Sequence, residues 1–137
     1  MDEPTDWIAL DDEGFFALIG PVYQLRASGP TARFRFLAEP KHANRSHFVD
    51  GGMLTAFADR ALGATARRSD PALRVATVQL DVHFLQPARL GDVVEMDCQI
   101  IRETRSLVVL DGTMATSRGA VALARGVWKL IPVTPES

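Results

Sequence analysis

The sequence contains little cysteine, little net charge and no long apolar run. Cys98 is the only cysteine in 137 residues, so neither an internal disulfide nor a thiolate metal cluster is expected. No apolar run reaches the length of a membrane span. The acidic start, Met1–Pro4, lacks the basic residues and apolar core of a signal peptide. A formal net charge of −2 gives no reason to expect nucleic acid or a membrane as partner. These absences predict a cytoplasmic protein.

The composition is that of an ordinary globular protein, with 47% hydrophobic and 23% charged residues. A chain of 137 residues can bury a core without staples, which predicts one domain over residues 1–137. Its core should cover about residues 20–131. A short N-terminal helical segment, near residues 11–19, should precede it and end at Gly20-Pro21.

Alternating apolar and polar residues predict strands on both sides of one long helix. Residues 22–37 resemble a hairpin with its turn at Ser28-Gly29-Pro30. After the helix, Val78, Leu80, Val82 and Phe84 alternate with Thr77, Gln79, Asp81 and His83, and three further strands follow. One long helix with consecutive antiparallel strands indicates an α+β fold. Such a sheet can cover only one of its faces with this helix, so we expect the other face to meet another subunit.

The stretch from Asn44 to Gly63 carries the candidate chemistry. Its helical spacing gives an apolar stripe that should bury against the sheet, consisting of Leu54, Phe57, Ala58, Ala61, Leu62 and Thr65. A second stripe is nearly all small residues, with the carboxylate of Asp59 in its middle. From periodicity alone, Asp59 is either a solvated residue beside Arg60 or a functional carboxylate that a ligand can approach closely.

Five features of the sequence occur together in one order: Asn44, Asp50-Gly51-Gly52, Ala58-Asp59, the run F-L-Q-P-A-R-L-G-D and the run R-E-T-R-S-L. In this combination the chain resembles hotdog-fold acyl-CoA thioesterases of the phenylacetate-degradation (PaaI-like) type. The resemblance covers roughly residues 20–131. It implies a long central helix wrapped by an antiparallel sheet, with dimers of hotdogs that assemble to a homotetramer. It also implies hydrolysis of aryl or short- to medium-chain acyl-CoA, with coenzyme A as part of the substrate and no other cofactor.

The resemblance assigns roles residue by residue. Asp59 falls at the carboxylate that acts as general base or nucleophile, and Gly51 at the backbone N–H that holds the thioester oxygen. Asn44 falls at the residue that positions the thioester or water, and Thr77 where a Ser or Thr often lies near that water. Gly52 should contact substrate. Asn44 and Gly51 of one chain are expected to face Asp59 of another.

Asp50 departs from the family, which has a histidine at that position. An aspartate there is either an N-cap for the helix or a second carboxylate that raises the pKa of Asp59. His47 is close enough along the loop to replace the missing imidazole, although a loop histidine is more often solvated.

Other candidates have weaker signals. Arg89, Arg102, Arg105 and Ser106 suit contacts with the phosphates of coenzyme A, or form solvated turns. His42, His47 and His83 show no close-spaced ligand pair, so no metal site is predicted. Cys98 has the pattern of a buried strand residue. Two alternative functions stay open at this point: a non-catalytic acyl-CoA or acyl-ligand binding protein, and a hydratase or dehydratase of the same fold.

Overall fold

The computed structural model describes residues 6–26, 31–68 and 70–133. The elements in chain order are β1 (Trp7–Ala9), α1 (Gly14–Ile19), β2 (Tyr23–Leu25), β3 (Thr31–Leu37), α2 (Gly51–Arg67), β4 (Leu73–Phe84), β5 (Val93–Glu103), β6 (Leu107–Thr116) and β7 (Gly119–Pro132). A single 3₁₀ turn, Pro40–His42, lies in the loop before α2.

The strands form one sheet in the order β1-β2-β3-β5-β6-β7-β4, and every neighbouring pair is antiparallel. Helix α2 packs across its concave side, against β3 to β7. This is the predicted arrangement of one long helix wrapped by an antiparallel sheet.

Helix α2 begins and ends where its sequence indicates. Asp50 is its N-cap, and Arg68, in the left-handed region at φ 54°, donates its N–H to the carbonyl of Ala64 at the C-terminal end. The predicted apolar stripe is confirmed, because all six of its residues are buried. The ring of Phe57 meets Phe36 of β3 edge to face, with centroids 4.8 Å apart. Burial of this stripe fixes how α2 is rotated, and therefore where Asp59 points.

The N-terminal prediction needs a correction. The helix covers Gly14–Ile19 rather than residues 11–19, and the residues before it include strand β1, in which Ile8 pairs with Gln24 of β2. A three-residue strand has no recognisable period of its own, so only pairing with β2 reveals it. Strands β2 and β3 form the predicted antiparallel pair. The predicted turn at Ser28-Gly29-Pro30 lies outside the described residues.

A β-bulge in β4 overturns part of the predicted alternation. Thr77 pairs with Trp128 and Gln79 pairs with Val127, so Val78 is an extra residue in the ladder. Thr77 therefore shares the helix-facing side with Leu80, whereas Gln79, Asp81 and His83 lie on the opposite side. Val78, predicted on the apolar side of the strand, is 60% exposed.

The loop after β4 is anchored by Asp92. Its carboxylate accepts the backbone N–H of Arg89 (2.9 Å) and pairs with the guanidinium of Arg118 in the β6–β7 turn. Burial by itself would raise the pKa of Asp92, but the Arg89 hydrogen bond and the charges of Arg118 and Arg89 hold it below its ordinary value of 3.8. The anchor keeps this loop beside the segment that leads into α2, since Val49 donates its N–H to the carbonyl of Ala88 (2.9 Å).

We expect Asp92→Asn to lower the free energy of unfolding at neutral pH. We also expect the variant to lose less of its stability than wild type does when the pH is lowered. A carboxylate with a lowered pKa contributes stability above its unfolded pKa, and that contribution disappears as the pH falls below 3.8. Urea denaturation at neutral and acidic pH measures both effects. Asp11→Asn is the matched control, because the exposed Asp11 side chain has no hydrogen bond or ion pair among the described residues. Equal acid sensitivity of wild type and Asp92→Asn would contradict this role.

Candidate active site

Asp59 is held by Thr77 on the lining of a cleft. The Thr77 hydroxyl donates to Asp59 Oδ1 at 2.5 Å, and no other donor contacts this carboxylate within the described residues. Oδ2 is therefore available to a ligand or a water molecule. Asp59 is thus neither simply solvated nor paired with the neighbouring Arg60, which contacts Asp12 instead.

The bulge at Val78 explains why Thr77 reaches Asp59. It separates Thr77 from the polar alternation of Gln79, Asp81 and His83 and turns the hydroxyl toward α2. A strict alternation would have placed Thr77 on the solvated side of the sheet. The fold therefore brings together two residues that are 18 positions apart in sequence.

The cleft beyond Asp59 has a volume of about 250 Å³. Helix α2, with β4 and β7, forms one side of it, and the N-terminal segment with β2 forms the other. Its lining combines the apolar side chains of Leu10, Phe16, Val75 and Trp128 with the polar side chains of Gln24, Arg60 and Arg67. The indole edge of Trp128 packs beside Gly63 of α2, where a Cβ would lie 3.4 Å from the indole nitrogen, in ordinary contact.

The start of α2 presents an unpaired backbone donor. Asp50 Oδ2 accepts the N–H of Gly52 (2.8 Å), which is the N-cap geometry considered from the sequence. The N–H of Gly51 has no acceptor among the described residues, and the ring of Phe84 lies over this glycine. A helix N-terminus with a free N–H suits an anionic or polarised oxygen. Asp50 therefore caps the neighbouring N–H and leaves that of Gly51 accessible.

Asn44 shapes the loop that leads to this helix start. Its Oδ1 accepts the N–H groups of Ser46 (2.9 Å) and Phe48 (3.1 Å), which leaves the side-chain NH₂ without a partner in the described part of the chain. His47, at the turn of this loop, has φ 66° and is exposed.

The length of α2 keeps its two candidate groups apart within one chain. Gly51 and Asp59 are eight residues apart, which corresponds to about 12 Å along a helix axis at about 1.5 Å per residue. One thioester carbonyl is too small to contact both. The free N–H and the carboxylate can therefore meet at one carbonyl only across two copies of the chain.

The candidate coenzyme A contacts fall at opposite ends of the sheet. Arg89 forms an isolated bridge with Phe48, beside the start of α2. Arg102, Arg105 and Ser106 lie at the β5–β6 hairpin, which the ion pair between Arg68 and Glu103 (2.9 Å) places near the other end of α2. Along β5 these two groups are separated by about 30 Å, at about 3.3 Å per residue.

The three histidines do not converge. His42 is buried, accepts the N–H of Glu39 at Nδ1 (3.0 Å) and donates from Nε2 to the carbonyl of Ile19 (2.6 Å), so both nitrogens have structural partners. His83 is exposed on the side of the sheet away from α2. Cys98 is buried as predicted, and burial raises the pKa of its thiol to about 12.

Sequence reasoning missed several residues that shape the site. Phe84, Phe16 and Asp12 carry no sequence signal for the site, although Phe84 belongs to the alternating pattern of β4, whereas Gly63 belongs to the small-residue stripe around Asp59. Phe16 and Asp12 belong to a segment whose position depends on contacts with α2, so no local pattern identifies them.

Comparison with known proteins agrees with this arrangement. The family model described as the thioesterase superfamily matches residues 33–122. A Pseudomonas aeruginosa protein with the provisional name of an esterase is 27% identical over 114 residues, which cover 82% of this chain and 85% of that protein. The chain belongs to the thioesterase superfamily.

Solved structures show the same fold. The Escherichia coli PaaI protein, from the phenylacetic acid degradation operon, superposes with a TM-score of 0.77 at 21% identity, covering 87% of this chain and 85% of that one. A Streptococcus mutans protein bound to acetyl-CoA gives a TM-score of 0.77 at 17% identity, covering 91% and 97%. The architecture is thus the predicted hotdog fold. Neither helix in the described ranges has both the length and the apolar character needed to cross a lipid bilayer.

We expect Asp50→Asn to preserve the helix cap and Asp50→Ala to remove it. Asparagine still offers an oxygen to the N–H of Gly52, whereas loss of an N-cap costs about 0.5–2 kcal/mol. Chemical denaturation of the two variants beside wild type measures the difference. Equal destabilisation by both substitutions would show that the charge of Asp50, rather than its capping oxygen, stabilises the protein.

Proposed function

We propose that this protein hydrolyses acyl-CoA thioesters to a free acid and coenzyme A. The observation that carries the proposal is the carboxylate of Asp59, oriented by Thr77 on the lining of a cleft of acyl-group size. With Oδ1 fixed by the Thr77 hydroxyl, Oδ2 acts as general base and takes a proton from water, which adds to the carbonyl carbon; the C–S bond then breaks and coenzyme A leaves as the thiol. In the nucleophilic route Oδ2 attacks the carbonyl itself, coenzyme A leaves, and water hydrolyses the resulting acyl–Asp59 anhydride. Water is the second reactant, and coenzyme A enters as part of the substrate.

The N–H of Gly51 is the proposed oxyanion donor. Negative charge develops on the thioester oxygen during attack, and an unpaired N–H at the positive end of a helix stabilises it. The Asp50 carboxylate accepts from Gly52, so it does not occupy this position. The free NH₂ group of Asn44 lies in the loop beside the same helix start and serves to position the thioester or the water.

Two copies of the chain complete the proposed site. Strand β4 ends the sheet on one side, and its Val78 and Phe84, followed by Leu85, expose apolar surface along that edge. Two β4 edges related by a twofold axis run antiparallel, so the start of α2 in one copy lies toward the opposite end of the other copy. This places Asn44 and Gly51 of one copy near Asp59 of the second. Arg89 of the first and Arg102, Arg105 and Ser106 of the second then fall on one side, where they bind the phosphates of coenzyme A.

Asp59→Asn is expected to reduce hydrolysis of acyl-CoA about 10²–10⁴-fold or more, since an amide supplies no general base. Thiol release from a panel of aryl-, short-, medium- and long-chain acyl-CoAs measures this, with unfolding curves to confirm an intact fold. Asp81→Asn is the matched control, because Asp81 lies on the opposite side of β4 and contacts Gln79.

Full activity in Asp59→Asn would overturn the proposed chemistry. If wild type releases no thiol from any substrate but binds acyl-CoA in calorimetry, the protein is an acyl-CoA binding member of the fold instead.

If each active site combines residues of two chains, two variants that are inactive alone should restore activity when they are mixed. Asn44→Asp keeps the oxygen that accepts from Ser46 and Phe48 but loses the free NH₂ group, so the loop is retained and the donor is lost. In a heterodimer of Asn44→Asp with Asp59→Asn, one of the two sites contains both native residues. Refolding the variants together should therefore recover about a quarter of wild-type activity, as random pairing in a symmetric dimer requires. Activity that stays at the level of the separate variants would show that each site belongs to a single chain.

A further inference from the structure

We propose that the cleft beyond Asp59 is the acyl pocket, that Phe16 closes its outer end, and that the Asp12–Arg60 ion pair fixes Phe16 and thereby limits acyl size. This inference rests on the proposed function, because it assigns the part of the same site that receives the acyl group.

The position of Asp59 relative to the cleft supports the assignment. Asp59 and Thr77 both line the cleft, so a carbonyl within reach of Asp59 Oδ2 has one of its substituents directed into the cleft. The oxygen of this carbonyl faces the proposed Gly51 donor of the other copy, which leaves the acyl group and the sulfur arm of coenzyme A as its two substituents. The coenzyme A arm extends toward the arginines proposed for its phosphates, and the acyl group faces Leu10, Phe16, Val75 and Trp128.

An ion pair with α2 holds the middle of the wall that contains Phe16. Helix α1 has no fully buried residue, and its apolar packing against the core is at its end, through Ile19. The carboxylate of Asp12 instead pairs with Arg60 of α2 at 2.8 Å, and the two side chains are only 10% and 24% exposed. The Arg60 guanidinium also lies 6.0 Å from the centre of the Phe16 ring. Arg60, directly after Asp59, thus ties the wall to the helix that carries the carboxylate.

Hydrogen bonds anchor both ends of the N-terminal segment, residues 10–20, independently of the Asp12–Arg60 ion pair. Leu10 donates its N–H to the carbonyl of Val22 (2.9 Å), and the carbonyls of Ile19 and Gly20 accept from His42 and Lys41 (both 2.6 Å). Between these anchors, the ion pair is the side-chain hydrogen bond that links the described segment to α2. Loss of the ion pair should loosen the wall around Phe16 without releasing the ends.

The volume of the cleft sets the expected size limit. A cavity of about 150 Å³ holds benzene, so about 250 Å³ accommodates one ring with a few more atoms, or a short chain. A longer chain has to displace the ring of Phe16. The structure therefore assigns Phe16 as the residue that determines specificity, and Asp12 and Arg60 as its positioning pair.

The chain offers a matched pair of substitutions for a test. Phe16→Ala opens the end of the cleft, whereas Leu18→Ala shortens another side chain of the same helix, which is 74% exposed and does not line the cleft. Asp12→Asn loosens the wall but keeps the Phe16 side chain. For each variant, kcat/KM is measured on saturated acyl-CoAs from acetyl to palmitoyl, and binding of the same series is measured by calorimetry in an Asp59→Asn background.

We expect Phe16→Ala to raise kcat/KM for long relative to short acyl groups about tenfold or more, the scale on which pocket contacts discriminate. Asp12→Asn should shift the profile in the same direction by less, mainly through KM, and Leu18→Ala should follow wild type. Hydrolysis with the same chain-length profile in Phe16→Ala, Asp12→Asn and wild type would overturn the inference.

Binding separates this inference from the proposed function. If wild type hydrolyses nothing while Phe16→Ala, but not Leu18→Ala, binds longer acyl groups more tightly, the pocket assignment stands and the hydrolase proposal fails. If binding also shows no difference between Phe16→Ala and Leu18→Ala, the assignment fails as well.

Discussion

Burial of one face of α2 against the curved sheet is the interaction on which the site depends. Phe57, Leu62 and the small residues between them are fully buried, so the rotation of the helix about its axis is fixed. Asp59 then points to the gap between β4 and the N-terminal segment. A helix free to rotate by one residue, about 100°, would carry Asp59 away from Thr77. The core therefore positions the carboxylate before any polar contact orients it.

The bulge at Val78 is the second constraint. It changes which side of β4 faces α2, so the same strand presents Thr77 to the candidate site and Gln79, Asp81 and His83 to the opposite face. Bulges often redirect a side chain next to an active site. Here the redirected Thr77 hydroxyl donates a hydrogen bond to Oδ1 of Asp59, and Oδ2 stays available.

Asp50, which lies where the resemblance predicts a histidine, is compatible with a free oxyanion donor at Gly51. Its carboxylate caps the N–H of Gly52, while the N–H of Gly51 stays unpaired among the described residues. The capped N–H and the proposed oxyanion donor are therefore adjacent backbone groups. The distance from Gly51 to Asp59 along α2 explains in addition why the proposed site needs two chains.

Local sequence patterns alone predicted the central helix, its buried face and most of the strands. The apolar stripe from Leu54 to Thr65 predicted both α2 and its buried face, and Asp50 followed by two glycines marked the start of the helix. The alternation in β5 predicted the buried position of Cys98. Only the tertiary structure decided the contact of Thr77 with Asp59, the strand pairing of Trp7–Ala9 and the place of Phe16 at the cleft. Each of these depends on which distant residues become neighbours: a bulge changes the facing of a strand without changing its composition, and a short segment takes its position from its partners. The periodicity of a sequence records which face of an element is apolar, whereas packing decides what that face meets.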